Sequence, residues 1–584
     1  EMHGDLGGFD GVWRNEGLIE KVSGTGISSL SGRVDNAGEI RVHQGALSLR
    51  GGGSHGGVFN VASGTELVFG GGFHWAGPGT TAAGAGTVAT ESSPTVRFGE
   101  GTRLATHLRV ASGSLTLQPG AVLDSAGRRV LVDGTASFNT GRLLPVSRLE
   151  VGGNLGGADS FESPSVRWYG GEMAGPGTVT VAAGGTLDMA NGRTLSTTLI
   201  NRGVAVWTTG TWFNRSTALF RNEPGASLEL RGDAAFSQGR IDNRGSIVKT
   251  AGLGNSDVSG RVDQNGVVRV ETGTLALNGG GNSGGEFEVR EGARLQWGGS
   301  HTFVETTRVR GAGRLTQSGT TDFEGTLDVA GPVAVGGTFR VLPGAVLELA
   351  GRELSVSGRL DLDAGRPQSI GVLSLTGSLA GMDPVAVTGS LSWRSGEIMA
   401  GMSLRVLPEA LMELAGSDRT LGGLVTLEGA GLWTAGRTFA RPTGVFRIAP
   451  EAGLDLQFDG GHFSGRFENE GVFRKSSGTG TAFMTAVLVN RGTLAIDQGT
   501  LQLSADGTNS GSLQVAAGAG IHVTQNTLTL EPGTTVAGPG TLRWSGSARL
   551  ALGTDVDFGT AQVLLEGNST VTGNFTLSNQ PGGL

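Results

Sequence analysis

The chain contains no cysteine, so it can form neither a disulfide nor a thiolate metal site. It has one tyrosine, and aromatic residues make up only 6 %. Proline is scarce, at 17 residues, and no G-X-Y period exists, which excludes collagen. No apolar run reaches the ~18 residues that mark a membrane-spanning helix. Charged residues are 16 % and the net charge is −8. That acidic balance, with arginines dispersed, excludes a basic stripe for nucleic acid. The net charge is also too small for a disordered chain of this length. Lysine is nearly absent: Lys21, Lys249 and Lys475 are the only three among 44 basic residues.

Glycine is abundant, at 107 of 584 residues, far above the usual ~7 %. The chain also repeats itself. NEGLIEKVSGTGISSLSGRVDNAGEIRVHQGALSL begins at Asn15. NRGSIVKTAGLGNSDVSGRVDQNGVVRVETGTLAL begins at Asn243, and NEGVFRKSSGTGTAFMTAVLVNRGTLAIDQGTLQL at Asn469. The offsets are 228 and 226 residues, a repeat of about 227. Duplication extends one architecture and does not by itself build one unique pocket. Three blocks follow: 1–242 with its lead-in, 243–468, and a partial third copy at 469–584.

A smaller unit recurs inside the large one. VASGTELVF starts at Val61, VAAGGTLDM at Val181, VREGARLQW at Val289 and VLPGAVLEL at Val341. VLPEALMEL and VAAGAGIHV follow at Val406 and Val515. Each reads as a short strand, a small-residue corner and a second strand with alternate residues apolar. Gly113, Gly184, Gly292, Gly344 and Gly518 mark such corners, where a positive φ is needed. Equivalent strands return roughly every 20 residues, and no amphipathic helix escapes interruption by Gly or Pro. The pattern predicts an all-β, right-handed parallel β-solenoid, elongated, with rungs stacked ~4.8 Å apart.

Few residues suggest chemistry. Asp and Glu are scattered, mostly one per strand, and many recur between copies, whereas polysaccharide cleavage needs a single cluster. No HxH or HExxH motif gathers the eight histidines, so neither metal nor other cofactor is expected. The AGPGTV runs resemble half a phosphate loop, but a strand follows them and not a helix. The three lysines share one repeat position, two residues after Ile19, Ile247 and Phe473. Strand parity puts them on the same face as those apolar residues; if that face is inward, the ammonium requires a carboxylate or carbonyl partner. A Lys–Asn/Asp crosslink and a ligand-binding role are the alternatives. Trp207 and Trp433 are repeat equivalents, as are Trp168 and Trp393. They serve either as packing or as an outward row for stacking on sugars.

The runs NEGVFRKSSGTGT, VNRGTLAIDQGTLQL and VAAGAGIHV resemble repeats of large secreted bacterial β-solenoid proteins. They are similar to filamentous-haemagglutinin-type adhesins and autotransporter passengers. The resemblance implies an extracellular or cell-surface bacterial protein acting as adhesin shaft, stalk or fibre subunit, and not an enzyme. A carbohydrate-binding module is the alternative, and a polysaccharide-degrading enzyme is less favoured. The opening Glu1–Asp5 aligns with Glu229–Asp233, and the close from Val571 resembles the segment from Ala334. Both ends thus fall inside a repeat. We therefore expect either a longer chain or end-to-end self-association, with surface glycans as further partners.

Overall fold

Short strands alternate inward apolar and outward polar residues. In Arg129–Val132, Val130 and Val132 are buried while Arg129 and Leu131 face out. A strand this short buries too little to stand alone. It gains neighbours by pairing with its equivalent one turn later. The computed structural model describes residues 1–578; the last six residues of the closing segment lie outside the described residues. Among the described residues there is no helix, and the strand pairings are parallel. The fold is a parallel β-solenoid of about 28 coils of ~20 residues.

The coils group into two compact units, Glu1–Gly299 and Ser300–Leu584. Their boundary lies within the second sequence copy, so duplication and compactness divide the chain differently. In the first unit each coil contributes to three sheets. Val12–Asn15 pairs with Arg33–Asn36 in the first sheet. Leu18–Lys21 pairs with Glu39–Val42 in the second, and Ile27–Leu30 with Ala46–Leu49 in the third. In the second unit Arg314–Gln317, Thr320–Phe323 and Thr326–Val329 pair in the same manner with strands one coil later.

The sheets enclose columns of stacked apolar side chains. Leu47 stacks on Leu67, and Phe59 follows Ile40, all fully buried. Burying such a side chain stabilises by about 1.5–3 kcal/mol, while ordering each backbone residue costs about 1–2 kcal/mol. The margin per coil is small, so each unsatisfied polar group in the interior weighs heavily on it.

Corners join the sheets. Thr178–Met189 runs through two sheets without a break and bends at Gly184, whose φ of +70° suits glycine. Such corners reset strand parity: the register shifts between Ser163 and Ser165, where this stretch faces the previous coil.

The 227-residue repeat is not a whole number of coils. Lys21 ends a strand of the second sheet. Its counterpart Lys249 ends Ser246–Lys249, which traces back strand by strand to Ile27–Leu30 of the third. Within the first unit, equivalent residues of successive copies therefore lie on different sheets.

Candidate functional site

The three lysines end inward-facing strand positions, and each side chain is fully buried. Lys21 Nζ donates to Asp5 Oδ1 at 3.1 Å, to the Gly4 and Ser23 carbonyls at 3.3 and 3.2 Å, and to Ser28 Oγ at 3.1 Å. Lys249 Nζ repeats the set with Asp233 at 2.9 Å, the Gly232 and Ala251 carbonyls, and Ser256 Oγ at 3.0 Å. Lys475 Nζ meets Asp459 at 3.1 Å and the Ser477 and Gly478 carbonyls at 2.8 and 2.7 Å. Ala482 stands where the other copies have serine, and the Gly478 carbonyl takes the place of the missing hydroxyl.

The sequence around each lysine explains its cradle. The strand delivers a linear side chain ending in three donors. The Gly-x-Gly that follows lets the aspartate of the preceding coil approach. A Cβ at Gly26 would stand 2.6 Å from Asp5 Oδ2, and one at Gly254 2.6 Å from Asp233 Oδ2. The Lys249 hydrogen bond holds the Asp233 carboxyl below its usual range, with help from the Gly254 amide. For Asp459 the Gly480 amide is the larger influence and Lys475 the second. This arrangement sustains an ion pair. A Lys–Asp amide bond would need a neutral amine and a protonated acid, and both aspartates are held ionised.

A second set of side chains escaped the sequence reading. Buried amides form ladders between coils. Asn15 Nδ2 donates to Asn36 Oδ1 at 2.6 Å. Asn201, Asn222, Asn243 and Gln264 form an unbroken run, as do Asn469, Asn490 and Asn509. Each donor amide can also reach a backbone carbonyl, as Asn222 reaches Ser246 at 2.9 Å. The signal was present as Asn at 21-residue spacing, 19 from Asn490 to Asn509, often in Asn-x-Gly.

Arg193 and Arg419, repeat equivalents, are buried as well. The Arg193 guanidinium lies 5.6, 5.3 and 5.7 Å from the rings of Trp168, Trp207 and Trp212 and donates to the Asn191 carbonyl at 2.7 Å. Arg419 Nη2 donates to the Ala435 carbonyl at 2.5 Å. Burial pushes Arg193 down to about 9 and Arg419 down to about 10. The four repeat-equivalent tryptophans are core residues: Trp168, Trp207, Trp393 and Trp433 are all buried. The outward row that would stack on sugars is not formed by them.

No protein-family model matches the chain, and no curated protein matches it at a significant level.

The outer surface is laced by ion pairs that cross coils. Carboxylates sit between pairs of arginines, as Glu150 between Arg129 and Arg148, Asp242 between Arg221 and Arg244, Asp263 between Arg240 and Arg261, and Glu468 between Arg447 and Arg466. Burial pushes Asp263 and Glu468 up, but their arginine partners outweigh it and hold both below the usual range. Among the described residues no group of three His, Asp or Glu is placed to hold a metal ion. No helix is long and apolar enough to cross a membrane.

Proposed function

We propose that this chain is an extracellular structural β-solenoid of bacterial origin, an adhesin shaft, surface stalk or fibre-forming subunit. One observation carries the reading: the side chains that recur between copies bind one coil to the next. Lysine meets the aspartate of the preceding coil, asparagine meets asparagine, and surface arginines bridge carboxylates. Side chains spent in this way stiffen a stack and leave little for catalysis, so the reading includes no enzymatic activity. Further copies of the chain and surface glycans are its partners in this reading.

Immunogold labelling of intact source cells should decorate the outer surface. Label confined to the cytoplasm would overturn the extracellular role. A reducing-sugar assay across polysaccharides should give no product, and steady product release would replace the structural reading with an enzymatic one. Binding on a glycan array, without turnover, would favour the carbohydrate-binding alternative.

A further inference from the structure

The amide ladder changes character in the first copy. Asn36 pairs in register with His55, and His55 with the coil of His74. Both histidines are buried, at 2 % and 0 % exposure. His55 Nε2 lies 3.2 Å from His74 Nδ1, and the rings stack 5.5 Å apart. His74 Nε2 lies 2.8 Å from the Gly71 carbonyl. A carbonyl only accepts, so His74 Nε2 carries the proton and its Nδ1 is an acceptor. His55 Nε2 must then donate, which leaves His55 Nδ1 as a bare lone pair. That atom has no hydrogen-bond partner, and neither has Asn36 Nδ2.

Both ring N–H groups of the pair meet an acceptor only while both rings are neutral. A proton added at His74 Nδ1 would set N–H against N–H, or force the His55 proton onto Nδ1, where no acceptor meets it. One added at His55 Nδ1 would create a cation beside Phe59 and Phe69, whose rings lie 5.4 and 5.6 Å away. We propose that the His55–His74 pair is an acid-sensitive latch that holds the coils from Gly53 to Ala76 closed only while both rings are neutral.

The charged residues on the packed strands relieve such a cation only in part. Arg33 and Asp35, on Arg33–Asn36, are paired with each other. Glu66, on Glu66–Phe69, pairs with Arg109. Arg97, on Thr95–Phe98, lies over Phe73. All alternate outward along their strands. Val58–Val61 carries no charge. Burial and the neighbouring His74 push His55 down to about 3, against the pull of Asp35. Burial pushes His74 down to about 4, against the Gly71 and Leu49 carbonyls. The open coil binds protons near the ordinary value of ~6.5. The latch is therefore at full strength above that pH and weakens as pH falls toward 4.

The other copies supply the controls. Where the first has His55 and His74, the second has Ser283 and His301, and the third has Asn509 and Leu528. His55→Asn with His74→Leu copies the third, whose Asn490–Asn509 bond is 2.5 Å.

Hydrogen exchange of the full chain, corrected for the intrinsic pH effect, tests the proposal. Between pH 7 and pH 4 the opening constant of residues 53–76 should rise by at least about a hundredfold. The double variant should hold its pH 7 protection and lose most of that rise. An equal rise in wild type and variant, or no rise in wild type, would overturn the latch. Should the variant fail to fold, imidazole C2-proton exchange on the wild type decides. Midpoints below about 5 for both rings support the proposal, and midpoints near the ordinary ~6.5 overturn it.

Discussion

Each buried lysine shows why residue identity matters more than residue class here. Arginine is the default cation of this chain, and the cradles of Gly4, Asp5 and Ser28 around Lys21, or Gly232, Asp233 and Ser256 around Lys249, accept a point donor. A planar fork would overfill them. Lys249→Met should lower stability by about 1–3 kcal/mol, the cost of unsatisfied buried acceptors. Asp233→Asn should cost more, because the buried ammonium then loses its counter-charge. Urea unfolding of the two variants checks the order; a larger loss for Lys249→Met would contradict it. Asn222 is a sharper case, since its amide joins Asn201 to Asn243. Asn222→Leu strands the Asn243 Oδ1 acceptor and leaves Asn201 Nδ2 to its backbone carbonyls alone. A loss of about 1–3 kcal/mol is expected in the same assay.

At the scale of the strand, function follows from register. Parallel pairing places like positions side by side, as with Glu20 and Arg41. A slip by one residue would turn every inward side chain outward. The absence of cysteine makes this directly measurable. Glu20→Cys with Arg41→Cys should form a disulfide on mild oxidation, because register partners on adjacent strands fall within disulfide reach. Leu18→Cys with Arg41→Cys, two positions apart along the strand, should not. Mass spectrometry of peptides under non-reducing conditions distinguishes them, and equal yields would refute the register. The alternation and the glycine corners were legible in the sequence, since VAAGGTLDM shows both. Which face a tryptophan took was not, because corners and register shifts such as Ser163/Ser165 reset the parity on which that inference depends.

At the scale of the molecule, a solenoid is stabilised coil by coil, so damage should remain local. In Lys249→Met, hydrogen exchange should accelerate in residues 230–280 and stay unchanged in residues 30–60 of the same unit. Uniform acceleration through residues 1–299 would show that the unit opens as one. By itself the sequence determined the strand period, the corners, the parallel stacking and the one repeat position that the three lysines share. Each of these depends on neighbours along the chain or on a period visible in it. Tertiary structure alone decided which residues meet across coils: Asp5 with Lys21, Asn222 with Asn243, His55 with His74, and Arg193 with its tryptophans. Those contacts depend on the length of each coil, which varies with every corner. The same variation makes the repeat overrun a whole number of coils and turns Lys249 onto a different sheet from Lys21.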